Sequence, residues 1–204
     1  MYLSMLKLNP RSRQVQAELR DPYQMHRTIC KAFGVDKEAW KEARVLFRVD
    51  ESNEGRMLRA LVQSAIKPDW SRITAPDDYL LTEIQCKDVA PVFKAGQRLA
   101  FRLRANPTVK REGKREGIYG EMERLEWLNR KGEANGFFVQ QARVISDGKQ
   151  KGLTTRGCET VFSAAVFEGV LVVTDPDAFR AAFESGIGSA KGFGFGLLSV
   201  ALVK

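Results

Sequence analysis

One imidazole, one phenol and two cations crowd a single stretch of this chain, DPYQMHRTICK, residues 21–31. His26 is the only histidine among 204 residues. An ordinary imidazole pKa of about 6.5 lets such a group take up and return protons near neutrality. Asp21-Pro22 reads as a helix start, a capping carboxylate followed by the residue favoured in the first turn. At 100° per residue, Met25, Ile29, Ala32 and Phe33 then share one face, which reads as buried. Tyr23, His26, Arg27 and Cys30 fall within about 100° of arc on another, with Lys31 one step further round. That grouping suits the cutting of RNA, which brings its own nucleophile in the 2′-hydroxyl beside each phosphate. The enzyme need only remove that proton, protonate the departing 5′-oxygen and stabilise charge on phosphorus. His26 fits the proton work, Tyr23 can orient groups or share a proton, and Arg27 and Lys31 can hold the phosphate. The same residues also describe a histidine merely packed at the edge of an apolar stripe, beside Phe33.

Charge points to a polyanionic partner. The net charge is +8, and it is unevenly spread. Residues 94–156 hold 15 basic and 7 acidic side chains, whereas residues 1–93 hold 15 and 13, and residues 157–204 hold 3 and 5. A concentrated basic region is the footprint expected for nucleic acid, because each neutralised phosphate releases counterions. Cys30, Cys86 and Cys158 are odd in number and far apart, which argues against a disulfide framework and for a reducing, cytoplasmic setting. With one histidine and no paired cysteines, a zinc site has no ligand set, so no cofactor and metal-free chemistry are expected, the alternative being a metal held by carboxylates that the pattern does not single out. No apolar run approaches the roughly 20 residues of a membrane span, and MYLSMLKLNP is too short and polar for a signal peptide.

The elements that must position these groups follow from patterning. The first eight residues read as a strand. Asn9-Pro10 suggests the cap and first turn of a short helix, and Asp21-Pro22 those of a longer one. ARVLFRV (43–49) and MLRALVQSAI (57–66) read as strands joined through SNEG, and YLLTEIQC (79–86) as another. That order fits a ferredoxin-like unit with a degenerate second helix. After Pro91, RLAFRLRA (98–105) alternates strictly, with Leu99, Phe101, Leu103 and Ala105 on one side and Arg98, Arg102 and Arg104 on the other. EMERLEWLNR is helical, with Met122, Leu125 and Leu128 as the buried stripe. FFVQQARVI and CETVFSAAVF read as strands, with a hairpin turn at Asp147-Gly148. Asp175-Pro176 opens a helix carrying Ala178, Phe179, Ala182 and Phe183 and ending at Gly186, and LLSVALV closes the chain as a strand. The expectation is an α+β protein of two tandem ferredoxin-like (RRM-like) domains with antiparallel sheets. Residues 1–91 carry the histidine helix, and residues 92–204 carry a basic hairpin and a glycine-rich loop.

That loop, GIGSAKGFGFG at 186–196, follows a helix and leads into a strand, the reverse of a dinucleotide-binding loop. No GxxxxGK[ST] sequence exists either. Gly186, Gly188 and Gly192 would let backbone N–H groups approach phosphates, with Lys191 adding charge. A structural turn where two backbones pack closely is the other reading.

Taken together, the segments MYLSMLKL, PYQMHRT (22–28), LVQSA (61–65), FRLRANP (101–107), VFEGVLVV (166–173) and GIGSAKGFGFGLLSVA (186–201) resemble the CasE family. These are CRISPR-associated endoribonucleases of the RAMP superfamily that process precursor crRNA in type I-E Cascade systems. The matches run from the first residue almost to the last, and are loose over 34–56, 67–95 and 108–160. Ser189 departs from the family pattern, which usually has proline there. The resemblance implies two ferredoxin-like domains and metal-independent cleavage of a CRISPR repeat RNA at the base of its stem-loop. Ends bearing a 2′,3′-cyclic phosphate and a 5′-hydroxyl are expected. It also implies other subunits of a Cascade ribonucleoprotein complex as partners, and no membrane. Through PYQMHRT the family's catalytic histidine and nearby tyrosine fall on His26 and Tyr23. The family is similar in gripping the stem with a basic hairpin of the second domain, where this chain offers Lys149, Lys151 and Arg156. Arg102, Arg104 and Lys191 are further candidates for RNA contact. Two other functions stay open on these residues: a non-catalytic RNA-binding subunit with His26 packed, and a small-molecule enzyme using the glycine loop.

Overall fold

A computed structural model describes residues 1–51, 57–153 and 159–203. The chain divides into two compact units, and each holds one four-stranded sheet. The first unit comprises residues 1–90, 151–160 and 192–194, and the second comprises residues 91–150, 161–191 and 195–204. Against the expected division of 1–91 and 92–204, Pro91 goes with the second unit and two short later segments go with the first.

In the first unit the elements are β1 (Tyr2–Leu8), α1 (Arg13–Arg20), α2 (Pro22–Cys30), α3 (Lys37–Ala43), β2 (Leu46–Glu51), β3 (Leu58–Ser64) and β4 (Gln85–Asp88). The sheet order is β2-β3-β1-β4, all antiparallel, the arrangement of a ferredoxin-like unit. A single 3-10 turn, Trp70–Arg72, stands where the second helix would be, as the weak patterning of that stretch suggested. Register sets the core face: Leu6 opposite Ala60, Leu8 opposite Leu58 and Phe47 opposite Val62 are all buried. Met25 and Ile29 of α2 join them, each 1% exposed, and burying two such side chains contributes about 1.5–3 kcal/mol apiece.

Three local expectations differ. Asn9-Pro10 forms a turn in which Asn9 accepts from the Arg11 N–H, and α1 starts three residues later behind Ser12. YLLTEIQC is not one strand. Tyr79 is pinned into the core by donating to Glu18, Leu80 makes an isolated antiparallel bridge to Leu8 with Leu81 N–H on the Lys7 carbonyl, and continuous pairing with β1 resumes only at Gln85. Helix α3 was not anticipated, although Asp36 caps it by accepting from Ala39 N–H at 2.7 Å. The SNEG connection lies outside the described residues.

The second unit contains β5 (Arg98–Ala105), a hairpin of β6 (Thr108–Arg111) and β7 (Lys114–Gly117), α4 (Glu121–Ala134), β8 (Phe137–Leu153), β9 (Glu159–Val173), α5 (Pro176–Ser185) and β10 (Leu198–Leu202). Its main sheet runs β10-β5-β9-β8, again the ferredoxin-like order, with α4 and α5 as the two crossover helices. Leu99, Phe101, Leu103 and Ala105 face the core as their alternation requires. Asp175 caps α5 through Asp177 and Ala178 N–H, and Gly186 ends it at φ +78°. The β6–β7 hairpin turns on Glu112 (φ +48°) and Gly113 (φ +80°), both left-handed as a tight two-residue turn demands.

Two expectations are corrected here. β8 runs straight through Asp147-Gly148, with Gly148 at φ +82°, so no chain reversal occurs there. In α4, Met122 is 71% exposed, and Arg124, Trp127 and Leu128 form the buried side. Steps of three residues drift by about 60°, so Met122 lies roughly 120° round from Leu128. The protein is thus α+β with two ferredoxin-like units, and no described helix is long and apolar enough to cross a membrane.

Candidate active site

Helix α2 is held from both ends. Asp21 accepts from Tyr23 N–H at 3.3 Å, and Pro22 occupies the first turn. Further along, Thr28 donates to the carboxylate of Glu18 at 2.6 Å. Glu18 is 3% exposed, and its other oxygen accepts from Tyr79 at 2.6 Å, with Gln14 donating to the first at 2.9 Å. This buried carboxylate ties α2 to α1 and to the loop at Tyr79. Thr28 is one of the five buried residues of α2, so the bond fixes the helix rotation that presents His26.

His26 is half-buried. Tyr23, one turn earlier, stacks with it at 6.1 Å between ring centroids and 16° between planes. Phe47 of β2 flanks the imidazole at 6.1 Å, and Phe193 lies 5.5 Å from Tyr23. Gly192 passes so near that a Cβ there would meet the His26 ring at 3.8 Å. Burial lowers the His26 pKa below its usual value, favouring the neutral imidazole at pH 7. Neutral imidazole with an accessible edge can accept a proton. Arg27 is exposed and donates to Gln24 at 3.4 Å, and Lys31, in the 3-10 turn Lys31–Phe33, is also exposed. Cys30, placed by spacing on the same arc as His26, is fully buried. Phe193 and Gly192 were not connected with His26 by sequence reasoning, since more than 160 residues separate them and no local signal joins them.

The other candidates belong mostly to the second unit. Arg102 and Arg104 project from the face of β5 opposite Leu103. Arg102 pairs with Glu168 at 2.7 Å, and Arg143 binds the other oxygen of that carboxylate. Arg104 donates to Gln150 at 2.8 Å and lies 4.8 Å from the Phe195 ring centroid. Lys149 is exposed, 5.5 Å from the Tyr119 ring, and Lys151 is exposed on β8. Arg156 lies outside the described residues. Lys191 donates to the Ser185 carbonyl at 2.5 Å, and burial lowers its pKa. Gly186 and Gly188 adopt φ +78° and +89°, and the Gly188 backbone runs close against the Trp127 indole. Among the described residues no group of three or more His, Cys, Asp or Glu is arranged to hold a metal ion.

Comparison with known proteins gives these residues a family context. The model of the family described as "CRISPR associated protein" matches residues 1–201. The chain is 36% identical to the CRISPR-associated endoribonuclease Cse3 of Thermus thermophilus, over 98% of this chain and 100% of that protein. It is 32% identical to the CRISPR system Cascade subunit CasE of Escherichia coli, over 98% and 99% respectively. Its fold superposes on Thermus thermophilus Cse3 bound to an RNA representing a pre-cleavage complex, with a TM-score of 0.83, 33% identity and 98% of both chains covered. The chain therefore belongs to the CRISPR-associated protein family, among the CasE (Cse3) endoribonucleases.

Proposed function

We propose that the protein matures CRISPR RNA by cutting each repeat at the base of its stem-loop, with His26 as the principal proton-transfer group. The observation that carries this reading is a half-buried, predominantly neutral imidazole, stacked with a phenol and flanked by exposed Arg27 and Lys31, on the surface of a tightly anchored helix. The neutral ring takes the proton of the 2′-hydroxyl. The 2′-oxygen attacks the adjacent phosphorus, the bond from phosphorus to the 5′-oxygen breaks, and a 2′,3′-cyclic phosphate and a 5′-hydroxyl result. The step consumes no net proton, since the one released at O2′ matches the one gained at O5′. The imidazolium or the Tyr23 phenol supplies the latter. Arg27 and Lys31 counter the charge that builds on the phosphorane. No metal enters this scheme.

Stem-loop grip falls to Arg102, Arg104, Lys149, Lys151, Arg156, Lys191 and the glycines at 186, 188 and 192. The deep major groove of A-form RNA is hard to read, so shape and phosphate contacts dominate. One of the relatives is a Cascade subunit, and this chain likewise keeps its product as part of a cytoplasmic Cascade ribonucleoprotein with other subunits. A repeat RNA with a 2′-deoxy nucleotide just before the scissile phosphate tests the chemistry. In EDTA the unmodified RNA is cut and the deoxy RNA is not; cleavage of the deoxy RNA rules out 2′-hydroxyl attack.

A further inference from the structure

Tyr23 stands in the first turn of α2, three residues before His26, so helix geometry makes the two side chains neighbours. Nearness does not fix orientation. An aromatic side chain on a helix populates two χ1 wells, near 180° and −60°, and the two aim the phenol in different directions. In the structure the Tyr23 ring is stacked with His26, with 16° between planes. The same ring is met by Phe193, 5.5 Å away between centroids and tilted by 31°. All three rings are half-buried.

The local sequence explains how Phe193 reaches the phenol. Gly192–Gly194 are the residues beyond 160 that belong to the first unit, and among them Phe193 alone carries a side chain. Gly192 lets the main chain pass near the imidazole, where a Cβ would already meet the ring at 3.8 Å. Gly194, at φ +80°, turns the chain directly after Phe193, in a conformation that residues with a Cβ rarely adopt. Phe193 itself ends the 3-10 turn Lys191–Phe193, so it is presented from a short hydrogen-bonded turn. Two glycines thus deliver one aromatic ring to the phenol. The imidazole has a different neighbour, Phe47 of β2, at 6.1 Å.

We propose that Phe193 is a positioning residue for RNA cleavage: its ring selects the orientation of Tyr23 that sets the phenol beside His26, and it acts on the chemical step only through Tyr23. The effect on cleavage rests on the reading of His26 and Tyr23 as the proton-transfer pair; the placement of the rings does not. The test compares Phe193→Leu and Phe193→Tyr, in the full-length protein, with and without Tyr23→Ala. Phe138→Leu, at a ring 59% exposed on β8, controls for the loss of an aromatic side chain elsewhere. Single-turnover cleavage at saturating RNA and RNA affinity are measured beside the NMR positions of the His26 ring protons, which are unambiguous because the chain has one histidine. Phe193→Leu should slow cleavage about fivefold, the scale of one lost aromatic pair, and should leave RNA affinity unchanged. It should also move the His26 signals. Phe193→Tyr, which keeps the ring, should cleave close to the parental rate, as should Phe138→Leu. With Tyr23→Ala already in place, Phe193→Leu should alter neither the remaining rate nor the His26 signals, because the residue it acts through is gone. Equal slowing with and without Tyr23 would overturn the proposal, and so would an unchanged rate. Weaker RNA binding at the parental rate would make Phe193 an RNA contact and overturn it too. If the parent does not cut RNA, the enzymatic reading fails, and the NMR comparison still decides the ring placement: a shift that persists in the Tyr23→Ala background overturns it.

Discussion

Cys30 Sγ lies 3.5 Å from His26 Nε2 and 3.7 Å from Nδ1. Near-equal distances to both nitrogens put the sulfur off the axis of either N–H bond, so the thiol is a packing neighbour and not a strong hydrogen-bond partner. Burial pushes its pKa up to about 12, which keeps it protonated and rules out a thiolate–imidazolium pair. Exposed Cys86 provides the contrast. In a Cys86→Ala/Cys158→Ala background, a disulfide reagent at pH 8 should react with Cys30 only as fast as the protein unfolds. Rapid labelling of the native state would show the thiol to be activated.

The lowered His26 pKa has consequences with a definite sign. In the free enzyme the imidazole gains its proton only below pH 6.5, so kcat/KM for cleavage should climb with pH on a limb centred below 6.5 and be flat at neutrality. Stability follows by linkage. The unfolded chain binds the proton first as pH falls, so stability present above pH 6.5 is lost as pH drops through the folded pKa. His26→Ala should remove that share of the pH dependence. Denaturant titrations from about pH 7.5 to 5 on both proteins check it, and equal slopes would contradict the assignment.

Glu18 is the anchor of helix α2, which carries His26. Thr28→Val deletes one of its three side-chain donors within the buried network, and should cost about 1–3 kcal/mol. Glu18→Ala leaves the buried Thr28 and Tyr79 hydroxyls without their acceptor and should cost more. At temperatures where Thr28→Val remains folded, the single-turnover rate should fall while RNA affinity holds, because α2 is loosened and the residues proposed to grip the stem are not. Denaturant midpoints and cleavage rates measured together test this.

Two glycines of the C-terminal segment should respond oppositely to a methyl group. At Gly192 an added Cβ meets the His26 ring at ordinary contact distance, 3.8 Å, with no backbone strain, so Gly192→Ala should fold normally but crowd the imidazole and slow cleavage. Gly196, at φ +92°, accepts from Ile187 N–H and donates to the Arg104 carbonyl, and its Cβ would meet the Ile187 carbonyl at 3.0 Å. Gly196→Ala should therefore destabilise the protein by about 1–3 kcal/mol. Thermal melts beside single-turnover rates separate the two effects.

What could be read from sequence was what local physics decides. The Asp-Pro caps at 21–22 and 175–176 and the strict alternation of β5 each declare their element within a few residues. Helix α3 was legible too, in Asp36 followed by a Lys-Glu-Ala run with Glu38 and Lys41 paired, but the short span hid it. Asp147-Gly148 misled because a turn dipeptide is only a local preference. Pairing along the sheet overrides it and carries β8 through with Gly148 in a left-handed conformation. At the site, helical spacing alone grouped Tyr23, His26 and Arg27. Phe47, Gly192 and Phe193 reach the imidazole through tertiary packing, and nothing in their spacing announces it.

Single-turnover cleavage of a repeat RNA by wild-type and His26→Ala protein, both confirmed to melt cooperatively and to bind the RNA equally, probes the central claim most directly. The account predicts that the variant retains the RNA and loses cleavage by about 10²-fold or more, as expected when the principal proton-transfer group is removed. Cleavage by the variant at the wild-type rate would contradict it and leave His26 a packed residue of an RNA-holding subunit.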